Sequence, residues 1–377
     1  MWRLIIASFL LLLSLLTVFR APTNFLWKVA IAITEFPYLP LAASLSFLIF
    51  SFWTREYKWP VQLLTGISIL LFSSPVIRAY KRASGLNEAL SSVFPYAAAK
   101  QALRQPYSFM AMFGGEKAAD VEPQALIYKQ LPGKALSLDF YPSQKGAKAP
   151  CILVVHGGSW SSGDNKQLPE LNSFLAREGY HVAAINYRLA PAYRFPAPVE
   201  DLKAALDFLC SESGRLQIDT SNFVLLGRSA GGQIALVAAY SLNNRNIKGV
   251  ISVYSPADMV WGARIKGNPL VLNTDKVFRD YLGGTIDEVP GMYKKSSACD
   301  YVNPGSPPTL IIHGAIDAMV SFEHSVHLSD TLKKNGVKHY FLDLPWATHG
   351  CDYNINGPSG QMSTFAIERF INSVTTP

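Results

Sequence analysis

The stretch Gly227-Arg228-Ser229-Ala230-Gly231-Gly232 sets the interpretation of the whole chain. It follows a β-type apolar run at residues 222–226 and precedes a helix-like run at residues 233–240. A G-x-S-x-G sequence between a strand and a helix is typical of a sharp turn that presents a serine hydroxyl at the edge of a sheet. The small residues around Ser229 allow the strand and the helix to approach closely. The stretch therefore predicts that Ser229 is a nucleophile.

Strands and helices alternate on both sides of this turn, from residue 124 to the last predicted helix. Residues 125–130 and 136–141 flank Pro132-Gly133-Lys134 and predict a hairpin. Further strands are predicted at residues 151–155, 180–186, 223–226, 250–254, 309–312 and 340–344. Helical patterns lie at residues 168–178, 199–212, 323–335 and 364–374. This alternation predicts an α/β fold in which a mostly parallel central sheet carries helices on both faces. We assign residues 116–377 to this catalytic domain, with an irregular insertion near the site at residues 259–299.

Two loops that follow predicted strands supply partners for the serine. Residues 313–320 contain Asp317, and residues 346–350 contain His349. Functional groups of a parallel sheet collect at the carboxyl ends of its strands, so these loops should meet Ser229. His349 could take the proton from Ser229 and deliver it to the leaving group, while Asp317 orients the imidazole. The chain order Ser229, Asp317, His349 is that of the α/β-hydrolases.

Other acids and histidines compete for these roles. Asp343 lies within a predicted strand and Asp352 follows the histidine, so Asp258 is the one serious alternative to Asp317. A structural role is favoured for four histidines that fall within predicted strands or helices, namely His181, His324, His327 and His339.

A glycine loop, His156-Gly157-Gly158-Ser159-Trp160, directly follows the predicted strand at residues 151–155. Consecutive glycines allow backbone N–H groups to turn toward one point with no Cβ in the way. We predict that Gly157 and Gly158, together with the N–H group of Ala230, form an oxyanion hole. His156 is expected to brace this loop. The alternative interpretation is a tight strand-to-helix turn without a chemical role.

Three uncharged apolar segments precede the predicted sheet, at about residues 2–19, 36–53 and 59–77. Each is close to the length needed to cross a hydrocarbon core, and tryptophans lie near their ends. We therefore predict a multi-pass transmembrane region over residues 1–82. A cleaved signal peptide is the alternative for the first segment, although no clear small-x-small site precedes Arg20.

Residues 83–115 read as a helical linker or cap. They contain a helical run at residues 97–103 and an apolar patch at residues 107–113. One interpretation is an amphipathic helix packed on the domain, and the other is a cap over the site that also faces lipid. The sequence does not decide between them.

The charge of the chain is concentrated at its start. Residues 1–82 hold eight Lys or Arg and two acids, which is +6 of the +7 carried by the whole chain. No basic stripe is left for nucleic acid on the rest of the chain. The distribution of Lys and Arg around the predicted spans favours a cytoplasmic catalytic domain. The four cysteines form no C-x-x-C pair, so no disulfide framework and no metal site are expected, and the oligomeric state stays open.

Six motifs occur in one order along the chain: His156–Trp160, Asn186–Pro191, Phe195–Asp201, Gly227–Gly232, Pro307–Gly314 and His349-Gly350. Over about residues 120–377 they resemble the α/β-hydrolase esterases of the hormone-sensitive-lipase and feruloyl-esterase-like (BD-FAE-type) groups. The resemblance implies an α/β-hydrolase fold and carboxylic ester hydrolysis without a cofactor. It also implies the roles given above for the serine, the acid, the histidine and the oxyanion donors. Ser159 and Arg228 depart from the common family residues and leave the substrate open.

These observations favour a membrane-anchored serine hydrolase that cleaves an amphipathic or lipid ester, with membrane lipid as its surroundings. An amidase or peptidase on the same fold is an alternative enzyme class. The non-enzymatic alternative is a membrane interaction protein with a decayed hydrolase domain.

Overall fold

The computed structural model of the chain describes residues 1–53, 56–95, 105–116, 120–146 and 148–375. Its described residues form one eight-stranded sheet with helices on both faces, preceded by a group of N-terminal helices. The predicted helical run at residues 97–103 lies outside the described residues.

The strands of the sheet, in chain order, are β1 (Gln124–Leu131), β2 (Lys134–Tyr141), β3 (Ala149–Val155), β4 (His181–Ile185), β5 (Ile218–Arg228), β6 (Ile247–Val253), β7 (Thr309–Gly314) and β8 (His339–Leu344). The N-terminal helices are α1 (Trp2–Ser14), α2 (Asn24–Glu35), α3 (Tyr38–Ser51) and α4 (Lys58–Ala83), and we refer to them as the N-terminal bundle. The other helices are α5 (Leu86–Val93), α6 (Ala111–Gly114), α7 (Pro169–Arg177), α8 (Ala197–Ser211), α9 (Ser213–Leu216), α10 (Ala230–Ser241), α11 (Met259–Gly262), α12 (Thr274–Leu282), α13 (Pro290–Ser296), α14 (Glu323–Lys334) and α15 (Pro358–Thr375).

The sheet has the order β1-β2-β4-β3-β5-β6-β7-β8. Strand β2 runs antiparallel to both of its neighbours, β1 and β4. The six strands β3 to β8 run parallel to one another. Strands β4 and β7 are buried along their whole length, as continuous apolar strands require. On β3, Cys151, Leu153 and Val155 point into one core, whereas Ile152 and Val154 point into the other. The predicted mostly parallel sheet with flanking helices is therefore present.

The segment at residues 259–299 is more regular than predicted. It contains α11, α12 and α13, which have four, nine and seven residues. Helices of one or two turns show too few apolar repeats for a period to be recognised in the sequence. Gly283 follows the last residue of α12 and adopts the left-handed conformation, with a φ of 95°, that commonly terminates helices.

The N-terminal bundle differs from the three predicted spans at residues 2–19, 36–53 and 59–77. Among the described helices, α4 alone is long and apolar enough to cross a membrane by itself. Helices α2 and α3 meet the same criterion only as a pair, and they are bent by 83° at the break between them. The 14 residues of α3 extend only about 21 Å, which is less than a hydrocarbon core of roughly 30 Å. The structure thus shows one candidate span where the sequence predicted three.

The far end of α4 is bonded to the sheet. Arg78 Nη1 donates to the carbonyl oxygen of Pro345 at 3.1 Å. Arg82 Nη2 binds the carboxylate of Asp343 at 2.8 Å. Two cations that supported the cytoplasmic assignment therefore have partners within the protein.

The apolar patch at residues 107–113 packs on the sheet domain. Tyr107 and Met112 are buried in the core that also contains α15, and Gln361 exchanges hydrogen bonds with the backbone of Ser108. The packed-helix interpretation accounts for these contacts. Within the described ranges, the patch lines neither of the two cavities at the site described below.

Helix α2 ends in a carboxylate buried against the start of α15. Glu35 accepts hydrogen bonds from the backbone N–H of Ser359 at 3.0 Å and from its hydroxyl at 2.7 Å. The carbonyl oxygen of Glu35 accepts from Asn354 Nδ2 at 2.9 Å. Burial raises the pKa of Glu35 to about 8, although the hydrogen bonds from Ser359 lower it.

This buried acid predicts a pH-dependent stability. Between the ordinary carboxyl pKa of about 4.5 and the raised value of about 8, the folded state holds a proton that the unfolded state releases. Stability should therefore fall as the pH rises through this window. We expect Glu35→Gln to reduce the fall in Tm between pH 5 and pH 8, measured by thermal unfolding of the detergent-solubilised chain. Glu88→Gln, at an exposed position, is the matched control. An unchanged pH slope in Glu35→Gln would contradict the assignment.

Candidate active site

The turn between β5 and α10 holds Ser229 in a left-handed backbone conformation, with a φ of 52° and a ψ of −122°. Such a conformation is costly for a side chain other than glycine and is characteristic of functional sites. A Cβ atom on Gly227 would lie 2.3 Å from the carbonyl oxygen of Gly231. Only a glycine at residue 227 permits this close approach of strand and helix. The local sequence thus imposes the geometry that presents the Ser229 hydroxyl.

Three predicted side chains meet at this turn. His349 Nε2 lies 2.9 Å from Ser229 Oγ, and His349 Nδ1 lies 2.7 Å from Asp317 Oδ2. Because a carboxylate can only accept, Nδ1 carries the hydrogen, which leaves Nε2 free to accept the serine hydroxyl hydrogen. This series has the geometry required for general-base activation of a serine.

The Asp317 carboxylate is fully enclosed and saturated with donors. Its Oδ1 atom accepts from the backbone N–H groups of Met319 at 2.7 Å and Val320 at 2.9 Å. Burial raises the pKa of Asp317, but the adjacent imidazoles of His349 and His313 and the hydrogen bonds from them outweigh burial and hold the pKa well below its ordinary value. The carboxylate is therefore a stable anionic partner for a protonated His349.

His313 is a further member of this series. Its Nε2 atom lies 3.1 Å from Asp317 Oδ2, and its Nδ1 atom lies 2.7 Å from Ser325 Oγ. His313 is the first residue of the loop that contains Asp317, and no role was predicted for it. Its separation of four residues from Asp317, across the end of β7, is the signal that could have indicated the contact.

The competing acids have other partners. Asp258 pairs with His327 at 3.1 Å and caps α11 by accepting from the N–H of Trp261. Asp343 binds Arg82, as described above, and Asp352 binds Arg228 at 2.5 Å. Within the described ranges, no three His, Cys, Asp or Glu side chains are grouped so that they could hold a metal ion.

The glycine loop lies beside Ser229, and His156 Nδ1 lies 2.7 Å from the carbonyl oxygen of Gly157. Gly158 has a φ of 123°, and a Cβ atom there would lie 2.1 Å from the carbonyl oxygen of Ser162. The N–H of Gly157 donates to Gln167 Oε1 at 2.8 Å, so it is not available in the way the sequence predicted. No acceptor is present for the N–H groups of Gly158 and Ala230 in the described part of the chain. Both N–H groups are therefore free to serve as candidate oxyanion donors.

Arg228 directly precedes the candidate nucleophile in the chain. The side chain is buried and binds Asp352, which also accepts from the Tyr254 hydroxyl at 2.5 Å. The Tyr254 ring lies 4.5 Å from the His349 ring, measured between centroids. Arg228 therefore belongs to an ion pair with Asp352, and this pair is connected to His349 through Tyr254.

Two cavities open onto Ser229 from different sides. The larger, of about 680 Å³, lies between the sheet domain and α2, and its apolar walls include Trp27, Ile31, Phe36, Leu168 and Tyr254. The smaller, of about 440 Å³, is lined by the segment at residues 259–299 and has a more polar wall that includes Arg20, Lys266 and Thr274. Ser229 and His349 line both cavities.

Helix α2 was missed as a part of the site. Residues 20–35 lie between the first two predicted spans, and no element was predicted for them; the charged Lys28 and Glu35 fall within this stretch. Trp27 and Ile31 lie one helical turn apart and face the larger cavity together. An apolar i, i+4 pair on a helix that also carries charges is the signal that could have indicated an amphipathic wall.

The fold and the hydrogen-bonded series together define an α/β-hydrolase. The chain belongs to the BD-FAE family, whose match covers residues 138–332, just over half of the chain. The matched range includes Ser229 and Asp317 and ends before His349.

Relatives and solved structures agree with this class. The chain is similar to esterase LipC of Mycobacterium tuberculosis, with 26% identity over 67% of this chain and 66% of LipC, just under two thirds of that protein. It is similar to a probable carboxylic ester hydrolase of the same organism, LipM, with 23% identity over 92% of this chain and 86% of LipM. The fold is also that of an esterase from Pyrobaculum calidifontis, with a TM-score of 0.59, 20% identity and coverage of 79% of this chain and 98% of that one. The family and these relatives indicate a carboxylic ester hydrolase.

The assignment of the acid is tested by paired substitutions. Asp317→Asn should lower kcat/KM for a p-nitrophenyl ester by about 10³–10⁴-fold, because an amide would hold the wrong tautomer of His349. Asp258→Asn serves as the matched control and should be nearly silent, since that acid contacts His327 instead. The reverse pattern in these two variants would show that the acid is wrongly assigned.

Proposed function

We propose that the chain is a membrane-attached serine hydrolase that cleaves a carboxylic ester through an acyl-enzyme. The observation that carries the proposal is the hydrogen-bonded series from Ser229 through His349 to Asp317, at 2.9 and 2.7 Å. Ser229 Oγ attacks the ester carbonyl while His349 takes the hydroxyl proton, and His349 then gives that proton to the leaving alcohol. Water then attacks the acyl group by the same route, which restores Ser229.

The proposed oxyanion donors are the N–H groups of Gly158 and Ala230. Ala230 is the first residue of α10, so its N–H lacks an intrahelical acceptor, and the helix dipole adds partial positive charge there. Donors of this kind stabilise the charge that develops on the carbonyl oxygen of a tetrahedral intermediate. A role for the Gly157 N–H would require that Gln167 release it.

The proposed substrate is an amphipathic ester, such as a lipid ester. The two cavities differ in character: the larger one has mostly apolar walls, whereas the smaller one carries charged and hydroxyl groups. An ester whose carbonyl is attacked by Ser229 would extend one part into each cavity. We propose that a hydrocarbon chain occupies the larger cavity, beneath α2.

Membrane attachment is proposed from the surface of the N-terminal bundle. Helices α1, α3 and α4 pack on one another and leave large apolar side chains exposed, including Phe9, Leu12, Ile49, Leu63 and Leu70. Trp53 and Trp59 are exposed beside the connection between α3 and α4, where interfacial tryptophans are common. We propose that lipid covers this surface, with α4 as the helix that crosses or enters the bilayer.

One labelling experiment tests the nucleophile and the attachment. In membranes washed with alkaline carbonate, a fluorophosphonate should label the full chain, and Ser229→Ala should abolish labelling and lower ester hydrolysis by about 10⁴-fold or more. Peptide anilides, included as amide substrates, should be turned over far more slowly than p-nitrophenyl esters. Labelling that persists in Ser229→Ala would overturn the nucleophile, and recovery of the chain in the carbonate wash would overturn the attachment.

The position of the hydrocarbon chain is tested by filling each cavity in turn. Ile31→Trp narrows the larger cavity, and Ile265→Trp narrows the smaller one as the matched control. Each methylene group denied burial costs about 0.8 kcal/mol, so exclusion of two or more should lower the laurate-to-acetate ratio of kcat/KM at least roughly 10-fold. We expect this loss in Ile31→Trp alone. A loss confined to Ile265→Trp would place the hydrocarbon chain of the substrate in the smaller cavity instead.

A further inference from the structure

Helix α2 reaches the candidate catalytic histidine through a single directional contact. Trp27 Nε1 donates a hydrogen bond to the backbone carbonyl oxygen of His349 at 2.8 Å, between residues 322 positions apart in the chain. The two rings lie 6.3 Å apart between centroids. Beside them, Gly350 has a φ of 78°, and a Cβ atom there would lie 3.2 Å from Ile31 Cδ1. The histidine loop and α2 are therefore in close contact at this point.

The sheet domain holds α2 at both ends. At the start, the N–H of Asn24 donates to the carbonyl oxygen of Leu270 at 2.8 Å, and Asn24 Nδ2 donates to that of Val271 at 3.1 Å. At the other end, the buried Glu35 is bonded to Ser359, whose hydroxyl also accepts from Trp346 Nε1 at 3.0 Å. With both ends fixed, Trp27 is presented to His349 by a helix that has little freedom to move.

The histidine loop has few other restraints close to residue 349. Its described backbone hydrogen bonds include those of Ala347 with Leu344 and Ile316, and that of Gly350 with Tyr353. On the side-chain face, His349 contacts Asp317 and the ring of Tyr254. Among the described residues, Trp27 makes the one hydrogen bond to the backbone of His349 itself.

We infer that Trp27 is a positioning residue for His349, so that the N-terminal bundle takes part in catalysis as well as in anchoring. This inference rests on the proposed roles of Ser229 and His349. Proton transfer between these two side chains requires the imidazole within hydrogen-bond distance of the serine oxygen. The indole N–H fixes the backbone from which that imidazole projects. Its loss should affect turnover of every ester, including an acetate that is too short to fill the larger cavity.

The test removes the hydrogen bond and keeps as much of the ring as possible. In the full chain, Trp27→Phe should lower kcat for p-nitrophenyl acetate by about 2- to 12-fold, the range expected for one neutral hydrogen bond, with KM changed less than about twofold. Replacement of Trp27 by 3-benzothienylalanine, which keeps the bicyclic ring and lacks the N–H, should have the same effect. Both changes should slow phosphonylation of Ser229 by the same factor, because that reaction needs the same proton transfer. Trp59→Phe, at an exposed position on α4, is the matched control and should leave these rates unchanged.

The readouts separate positioning from folding. End-point fluorophosphonate labelling counts competent sites, so kcat is expressed for each labelled site and a partly misfolded variant does not mimic the effect. Wild-type kcat in both Trp27 variants would overturn the inference, as would a loss in Trp27→Phe that the benzothienyl side chain restores. A change in KM alone would assign Trp27 to the cavity wall only. Absence of Ser229 labelling in the wild-type chain would instead overturn the proposed function and the inference together.

Discussion

The carboxylate of Asp317 is enclosed by protein and accepts four hydrogen bonds, two from imidazoles and two from backbone N–H groups. A buried anion is tolerated only when its lone pairs are satisfied, so this arrangement constrains everything around it. It fixes the end of β7, the position of His313 and the tautomer of His349. With that tautomer, His349 Nε2 is free to accept the hydrogen of the Ser229 hydroxyl on the other side of the imidazole. The geometry of the site thus follows from neutralising one charge at the edge of the sheet.

The N-terminal bundle does more than precede the hydrolase domain. Its second helix forms a wall of the larger cavity, and its fourth helix is bonded to the end of β8 through Arg78 and Arg82. A hydrocarbon chain that leaves a bilayer along exposed apolar helices would reach the site without crossing water. This arrangement links the proposed attachment to the proposed substrate, because the helix that lines the larger cavity and the helices proposed to contact lipid belong to one bundle.

The sequence and the structure agree most closely in the sheet domain. Strands such as β3, β4 and β7 were recognisable from apolar runs, because a strand buried on both faces has a continuous apolar signature. The largely exposed β1 was recognisable as half of a hairpin with β2. Ser229, Asp317 and His349 were recognisable because each follows a strand at the edge where such a sheet collects its functional groups. Agreement was poorer for Gly157, whose N–H is taken by Gln167, ten residues further along the chain. Glycine content shows where a loop can bend, but it does not show which amides find partners.

The sequence by itself determined the order of the strands along the chain, the α/β class and the three side chains of the candidate site. It could do so because these features depend on local periodicity and on loops that follow strands. The tertiary structure decided that α2 forms a wall of the larger cavity. It also decided that Trp27 donates to His349 and that Glu35 is buried against Ser359. These contacts join residues more than 300 positions apart, and they arise from how the bundle docks on the sheet, which leaves no periodic trace in the chain.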